Sequence, residues 1–191
     1  MKKIAIFASG NGSNAENIIK FFQSDDSDIE VVLVICNRKD AGVYERAHRL
    51  NTEILYLPKS SINDENVLMP ILEKYKIDFI VLAGFMLMIP SFILSRFPNS
   101  VINIHPSLLP KYGGKGMYGK FVHEAVVAAG EKESGITIHR VTDKCDEGEI
   151  IFQTSIPVSK EDTPESVEQK IHRLEKEYFP KVIKHTILLK K

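Results

Sequence analysis

Asn103 and His105 are the pair with the widest chemical reach in this 191-residue chain. They lie two apart in the apolar run Val101-Ile102-Asn103-Ile104-His105, so on a strand their side chains share one face. The run ends in Pro106-Ser107-Leu108-Leu109-Pro110, a turn bounded by prolines. An imidazole moves protons near neutral pH. A carboxamide N–H stabilises an oxygen that is gaining negative charge. Together they are equipment for attack on a carbonyl. A lone histidine on an apolar strand is more often a satisfied core residue; the asparagine on the same face favours function. Such a histidine also needs a carboxylate to hold the ring and raise its pKa. The segment Asp143-Lys144-Cys145-Asp146-Glu147-Gly148 offers Asp143, Asp146 and Glu147, and spacing does not choose among them.

A second site candidate is Ser9-Gly10-Asn11-Gly12-Ser13-Asn14, between an apolar run and a helical pattern. Glycine lets backbone approach a ligand, and a helix N-terminus offers unpaired N–H groups to an anion. Gly12, Ser13 and Asn14 would donate. A tight turn with Ser13 or Asn14 as N-cap is the plainer alternative, but two glycines and a polar pair exceed what a cap requires. The loop is only a partial dinucleotide fingerprint. The acidic residue that would take the ribose hydroxyls is missing, because the second apolar run ends Cys36-Asn37-Arg38. A phosphate monoester is the better ligand. GxxxxGK[ST] is absent, so this is not a P-loop.

No GxSxG or HExxH occurs, and the six histidines show no paired spacing. A metal is not expected, and Cys145 reads as an ordinary loop thiol. Direct transfer between two bound substrates, without a covalent intermediate, fits best. The stretch 111–120 holds four glycines, three lysines and no acid. It reads either as a mobile loop that meets an anion or as a solvated loop before a helix over 121–129.

These groups must be positioned by a fold. Apolar runs over 3–9, 30–37, 53–57, 79–85 and 100–105 have the length and near-continuous Val/Ile/Leu content of strands covered on both faces. Helical spacing over 14–22, 43–50 and 66–75 alternates with them, with Pro70 a warning inside the last. The pattern predicts an α/β fold with a doubly wound, mostly parallel sheet. Strand patterns over 135–141 and 149–158, joined by a polar loop, predict an antiparallel C-terminal pair. Thr163-Pro164 opens a last helix. No linker interrupts the chain, so 1–191 is expected to be one domain: a nucleotide-fold half over 1–100, then the catalytic strand, a second loop and the final helix over 101–191.

Twenty-five Lys+Arg balance 25 Asp+Glu, for a formal net charge of zero, which argues against nucleic acid as the partner. The longest apolar stretch, 79–90, falls short of the ~20 residues of a membrane span. The N-terminus lacks a signal core, and two distant cysteines read as free thiols in a reducing compartment. Lys184 and the lysines at 190–191 read as a solvated terminus. The expectation is a soluble cytoplasmic protein, monomer or homodimer, acting on small molecules without membrane or nucleic acid.

Four blocks carry a family resemblance: Ser9 to Asn14, Leu82-Ala83-Gly84-Phe85-Met86, Asn103 to Pro110, and the Asp-x-Gly of Asp146 to Gly148. In order and across nearly the whole chain, they resemble the phosphoribosylglycinamide formyltransferases, folate-dependent enzymes of purine synthesis. The resemblance implies a formyltransferase-like Rossmann variant. It implies formyl transfer from 10-formyltetrahydrofolate, as co-substrate and with no metal, to the amine of glycinamide ribonucleotide. By the family pattern His105 moves the proton, Asn103 steadies the tetrahedral oxyanion and also meets folate, and Asp146 raises the histidine pKa. Gly12, Ser13 and Asn14 would hold the ribonucleotide phosphate, with Glu175 nearby. Met86, Leu87, Met88 and Ile89 would line the pteridine pocket. Leu87 stands where many members have Arg, and Gly113-Gly114 where Pro-Gly is common.

Besides a dehydrogenase domain, against which the missing acidic residue after the second run counts, three other readings compete. A formyltetrahydrofolate hydrolase would use the same Asn, His and Asp with water, but is expected to carry an N-terminal regulatory domain. A formyltransferase acting on initiator tRNA is expected to carry a basic C-terminal domain. A non-catalytic nucleotide- or folate-binding module would use Asn103 and His105 only structurally.

Overall fold

Buried side chains along the strands divide by parity. In the computed structural model, which describes residues 1–189, strand β1 (Lys2–Ala8) sends Ile4, Ile6 and Ala8 to one side of the sheet. Ala5 and Phe7 go to the other. Strands β2 (Ile29–Cys36) and β4 (Phe79–Leu82) repeat this division, with Val34 and Val81 on one side and Leu33 and Ile80 on the other. That is the period-2 consequence of a strand covered on both faces.

With β3 (Ile54–Tyr56), β5 (Val101–His105), β6 (Glu133–Arg140) and β7 (Ile150–Pro157), these form one seven-stranded sheet in the order β3-β2-β1-β4-β5-β6-β7. The first five run parallel, and β6 and β7 are antiparallel to their neighbours. One face is covered by residues of α1 (Ser13–Ser24), α2 (Val43–Arg49), α6 (Lys120–Ala128) and α7 (Pro164–Leu189). The other is covered by α3 (Lys59–Ile62), α4 (Glu65–Lys74) and α5 (Ser91–Arg96). The mostly parallel α/β sheet expected from the sequence is present. The C-terminal pair is no separate tail: β6 adds directly to β5 and brings a second strand to the site.

Local differences have local causes. The fourth run leaves the sheet after Leu82, because Gly84 adopts φ +69° and turns the chain outward. Helix α4 tolerates Pro70 in its interior and starts from Asp64, whose carboxylate accepts from Asn66 N at 2.9 Å. Helices α3 and α5, of four and six residues, are too short for periodicity to reveal. Helix α7 begins at Pro164, as expected, with Thr163 Oγ1 accepting from Ser166 N. Lys184 is no solvated end, since its Nζ pairs with Asp25 at 2.7 Å. Lys190 and Lys191 lie outside the described residues. Among the described residues no helix is long and apolar enough to cross a membrane. Cys36 is buried and Cys145 exposed, both as free thiols.

The strand order reverses between β1 and β4, and ligands of open α/β sheets bind at the carboxyl ends of strands beside such a switch. Ser9 ties that crevice together. Its N–H donates to the Gly84 carbonyl, its Oγ accepts from Met86 N at 2.9 Å, and it donates to Asn37 Oδ1 at 2.6 Å.

Candidate active site

Asn103 and His105 occupy the carboxyl end of β5, on one face as the alternation requires. The register of β6 sets His139 opposite Asn103 and Thr137 opposite His105. Thr137 then secures the proline-bounded turn. Its Oγ1 accepts from Leu109 N at 3.0 Å and donates to the Ser107 carbonyl at 2.7 Å. His139 Nδ1 donates to the Arg140 carbonyl at 2.9 Å. Its Nε2 lies 3.2 Å from Asn103 Nδ2, the one hydrogen-bond contact of that amide nitrogen among the described residues, which leaves the second amide N–H of Asn103 to another acceptor.

Of the three candidate acids in the loop between β6 and β7, Asp143, Asp146 and Glu147, only Asp146 reaches this face. Asp143 and Glu147 are exposed, and Glu147 pairs with Lys144. Asp146 Oδ2 lies 3.6 Å from His105 Nδ1, and Oδ1 lies 3.6 Å from His139 Nε2. The loop manages this by taking Asp146 through φ +57° and passing tightly under β6. A Cβ on Gly148 would sit 1.7 Å from the Arg140 carbonyl oxygen, so only glycine fits there.

The electrostatics oppose one another at each group. Burial pushes the Asp146 carboxyl up, but His139, the Gly114 N–H and His105 together hold it at about 2. Burial pushes the His105 imidazole below its ordinary value, against the upward pull of Asp146 and of the Tyr112 carbonyl. That carbonyl accepts from His105 Nε2 at 2.7 Å. Both ring nitrogens thus face acceptors in a site that disfavours charge.

The glycine loop enters α1 without a side-chain cap. Gly12 is the N-cap at φ +79°, and Ser13 and Asn14 are already helical. The first-turn N–H groups are therefore not consumed by a Ser or Asn side chain. A Cβ on Gly12 would meet Val43 at 2.6 Å, so the loop lies flat on the start of α2. Arg46 clasps it from there, donating to the Asn11 carbonyl at 2.8 Å and to Asn11 Oδ1 at 3.0 Å. Glu175 of α7, 8% exposed, accepts from Asn14 Nδ2 at 3.0 Å. Burial raises its carboxyl above the ordinary range, against His172 and Asn14.

The segment 86–89 does not present four side chains alike. Met86 and Met88 are each 51% exposed, whereas Ile89 is buried and Leu87 packs on the core. Sequence reasoning missed His139. The alternation of Ile136 and Ile138 with Thr137 and His139 marked a polar face, but nothing local says that β6 lies antiparallel to β5. Among the described residues, no group of three or more His, Cys, Asp or Glu is placed to hold a metal ion.

The formyl transferase family profile matches residues 2–183. The chain is 38% identical over 187 residues to the chloroplastic phosphoribosylglycinamide formyltransferase of Arabidopsis thaliana, covering 95% of this chain and 64% of that one. It is 38% identical to the phosphoribosylglycinamide formyltransferase of Bacillus subtilis over 191 residues, covering 98% of this chain and 95% of that one. The crystal structure of phosphoribosylglycinamide formyltransferase from Bacillus halodurans superposes with a TM-score of 0.87 at 34% identity, covering all of this chain and 96% of that one.

Proposed function

Because the chain belongs to the formyl transferase family, we propose that it transfers a formyl group from 10-formyltetrahydrofolate to the amine of glycinamide ribonucleotide. The observation that carries this reading is the convergence of Asn103, His105 and Asp146 at the carboxyl end of β5. The substrate amine attacks the formyl carbon and forms a C–N bond. The carbonyl oxygen becomes an oxyanion that the free N–H of Asn103 stabilises. Collapse breaks the bond from that carbon to N10 of the folate. His105 takes the proton from the new ammonium and delivers it to N10. Nε2 is engaged by the Tyr112 carbonyl at 2.7 Å, so the Nδ1 edge, only loosely faced by Asp146 at 3.6 Å, is the one that exchanges. Asp146 lowers the cost of the charged ring while it lasts. No covalent enzyme intermediate and no metal are needed.

Gly12, Ser13 and Asn14 bind the ribonucleotide phosphate at the N-terminus of α1, and Glu175 holds Asn14 and faces the ribose. Met86 and Met88, with the backbone of 86–89, receive the pteridine. One formyltransferase domain acting on small molecules, as monomer or homodimer in the cytoplasm, accords with the neutral charge and the two free thiols.

The test is turnover of 10-formyltetrahydrofolate with and without the ribonucleotide, with formate measured in parallel. Deformylation that requires the ribonucleotide and releases no formate is expected. Formate released in its absence makes the protein a hydrolase; binding without turnover makes it a sensor module. A second expectation concerns the loop. Gly12→Ala places a methyl against Val43 and strains φ +79°, so KM for the ribonucleotide rises at least about tenfold. KM for the folate should stay put. An equal rise in both constants would remove the loop from phosphate binding.

A further inference from the structure

We propose that the turn over residues 111–114, anchored by Glu131, is the device that orients both members of the proton-moving pair. This rests on reading His105 and Asp146 as that pair. The turn touches each of them through its backbone. The Tyr112 carbonyl accepts from His105 Nε2 at 2.7 Å, and Gly114 N donates to Asp146 Oδ2 at 2.9 Å. The same Asp146 oxygen faces His105 Nδ1, so two backbone groups two residues apart set both ends of the contact. Tyr112 holds φ +55°, a left-handed conformation that a bulky residue keeps only when its surroundings impose it.

What imposes it is Glu131, in the turn after α6. Tyr112 Oη donates to Glu131 Oε1 at 2.9 Å, and Lys111 Nζ reaches the same carboxylate at 3.0 Å. Burial and the Glu131 carboxylate raise the Tyr112 hydroxyl above its ordinary pKa, so it remains a donor. At the other end, Ser107 Oγ donates to the Lys111 carbonyl at 2.6 Å. Glu131 has no contact with His105 or Asp146 among its hydrogen bonds and ion pairs. Its influence on the chemistry runs through Tyr112, which makes it a positioning residue. It gives the loop that begins at Lys111 a definite role at its near end, as the support of the catalytic pair.

The variants are Glu131→Ala, Tyr112→Phe, their combination, and Glu131→Gln, which keeps an acceptor for the tyrosine hydroxyl. Glu131→Ala and Tyr112→Phe should each lower kcat about tenfold, with both KM values within about twofold, because misorientation of a proton-transfer group is felt in the chemical step. The double variant should fall no further than either single one. Glu131→Gln should recover most of the rate. The histidine limb of the pH–kcat profile should move to lower pH in the first three, since the Tyr112 carbonyl favours protonated His105. Variants that lose thermal stability but keep wild-type kcat and pH profile would overturn the proposal, as would additive losses. If His105→Ala in the same assay leaves kcat intact, the reading of the pair has failed; if it abolishes turnover while the Glu131 and Tyr112 variants match wild type, only the anchor has.

Discussion

Asp146→Asn should cost turnover about 10²-fold or more while leaving the affinity for either substrate within about threefold. The substitution is nearly isosteric, and an asparagine oxygen still accepts from Gly114 N, so the loop keeps its place. What is lost is charge. Asp146 draws the His105 pKa upward against burial, so its removal lets burial carry the imidazole further down. The histidine limb of the pH–kcat profile then moves to lower pH. The carboxyl itself, held at about 2, is ionised throughout any practical assay range. Its charge, and the stability that the charge lends, is present above the ordinary carboxylate value and lost only as pH falls through about 2. The acid limb of the wild-type profile is therefore not expected from Asp146, and its displacement in Asp146→Asn would mark it as that of His105. Stopped-flow turnover at several pH values decides the matter: an unchanged rate and profile would take Asp146 out of the mechanism.

Asn103→Ala should lower kcat by about 10²-fold or more, the usual cost of one lost oxyanion donor. The argument depends on the hydrogen-bond count. His139 Nδ1 is committed to the Arg140 carbonyl, and its Nε2 engages the Asn103 amide nitrogen at 3.2 Å, which occupies one of the two Asn103 N–H positions. The remaining N–H is free for the developing oxygen. His139 thereby decides which way the carboxamide points, and Asn103→Asp should be as damaging as Asn103→Ala despite its matching shape, because it turns a carboxylate toward an anion. Equilibrium binding of the ribonucleotide and of a non-transferable folate measures the other half. A defect confined to KM would mean that Asn103 binds substrate and does not stabilise the oxyanion.

Much of this protein is legible in one dimension. The strands over 3–9 and 30–37 follow from buried β-type residues in short runs, and the structure moves their ends by a single residue. The shared face of Asn103 and His105 follows from strand pleating alone. The glycine loop declares itself by its two glycines and the polar pair Ser13-Asn14 between an apolar run and a helical pattern, and Gly12 does turn into α1 through φ +79°. Each is a short-range constraint, written in residues that are neighbours along the chain.

Other features are written in no local stretch. Asp143, Asp146 and Glu147 are equivalent by chemistry and spacing, and in the sequence only the resemblance carried by Asp146-x-Gly148 chose among them. Asp146 is singled out because the left-handed turn and the close pass at Gly148 aim one carboxylate under β6. His139 belongs to the site because β6 adds antiparallel to β5, a pairing between residues 36 apart in the chain. Met86 and Ile89, three residues apart, divide between solvent and core once Gly84 turns the chain out of the sheet. Lys184 reads as a solvated end until α7 lies against α1 and brings it to Asp25, 159 residues away. The periods of strand and helix are properties of the backbone and can be read from spacing. Which strand pairs with which, and what a loop then points at, depends on burying two faces of one sheet at once, and that cooperative condition is met only by the whole chain.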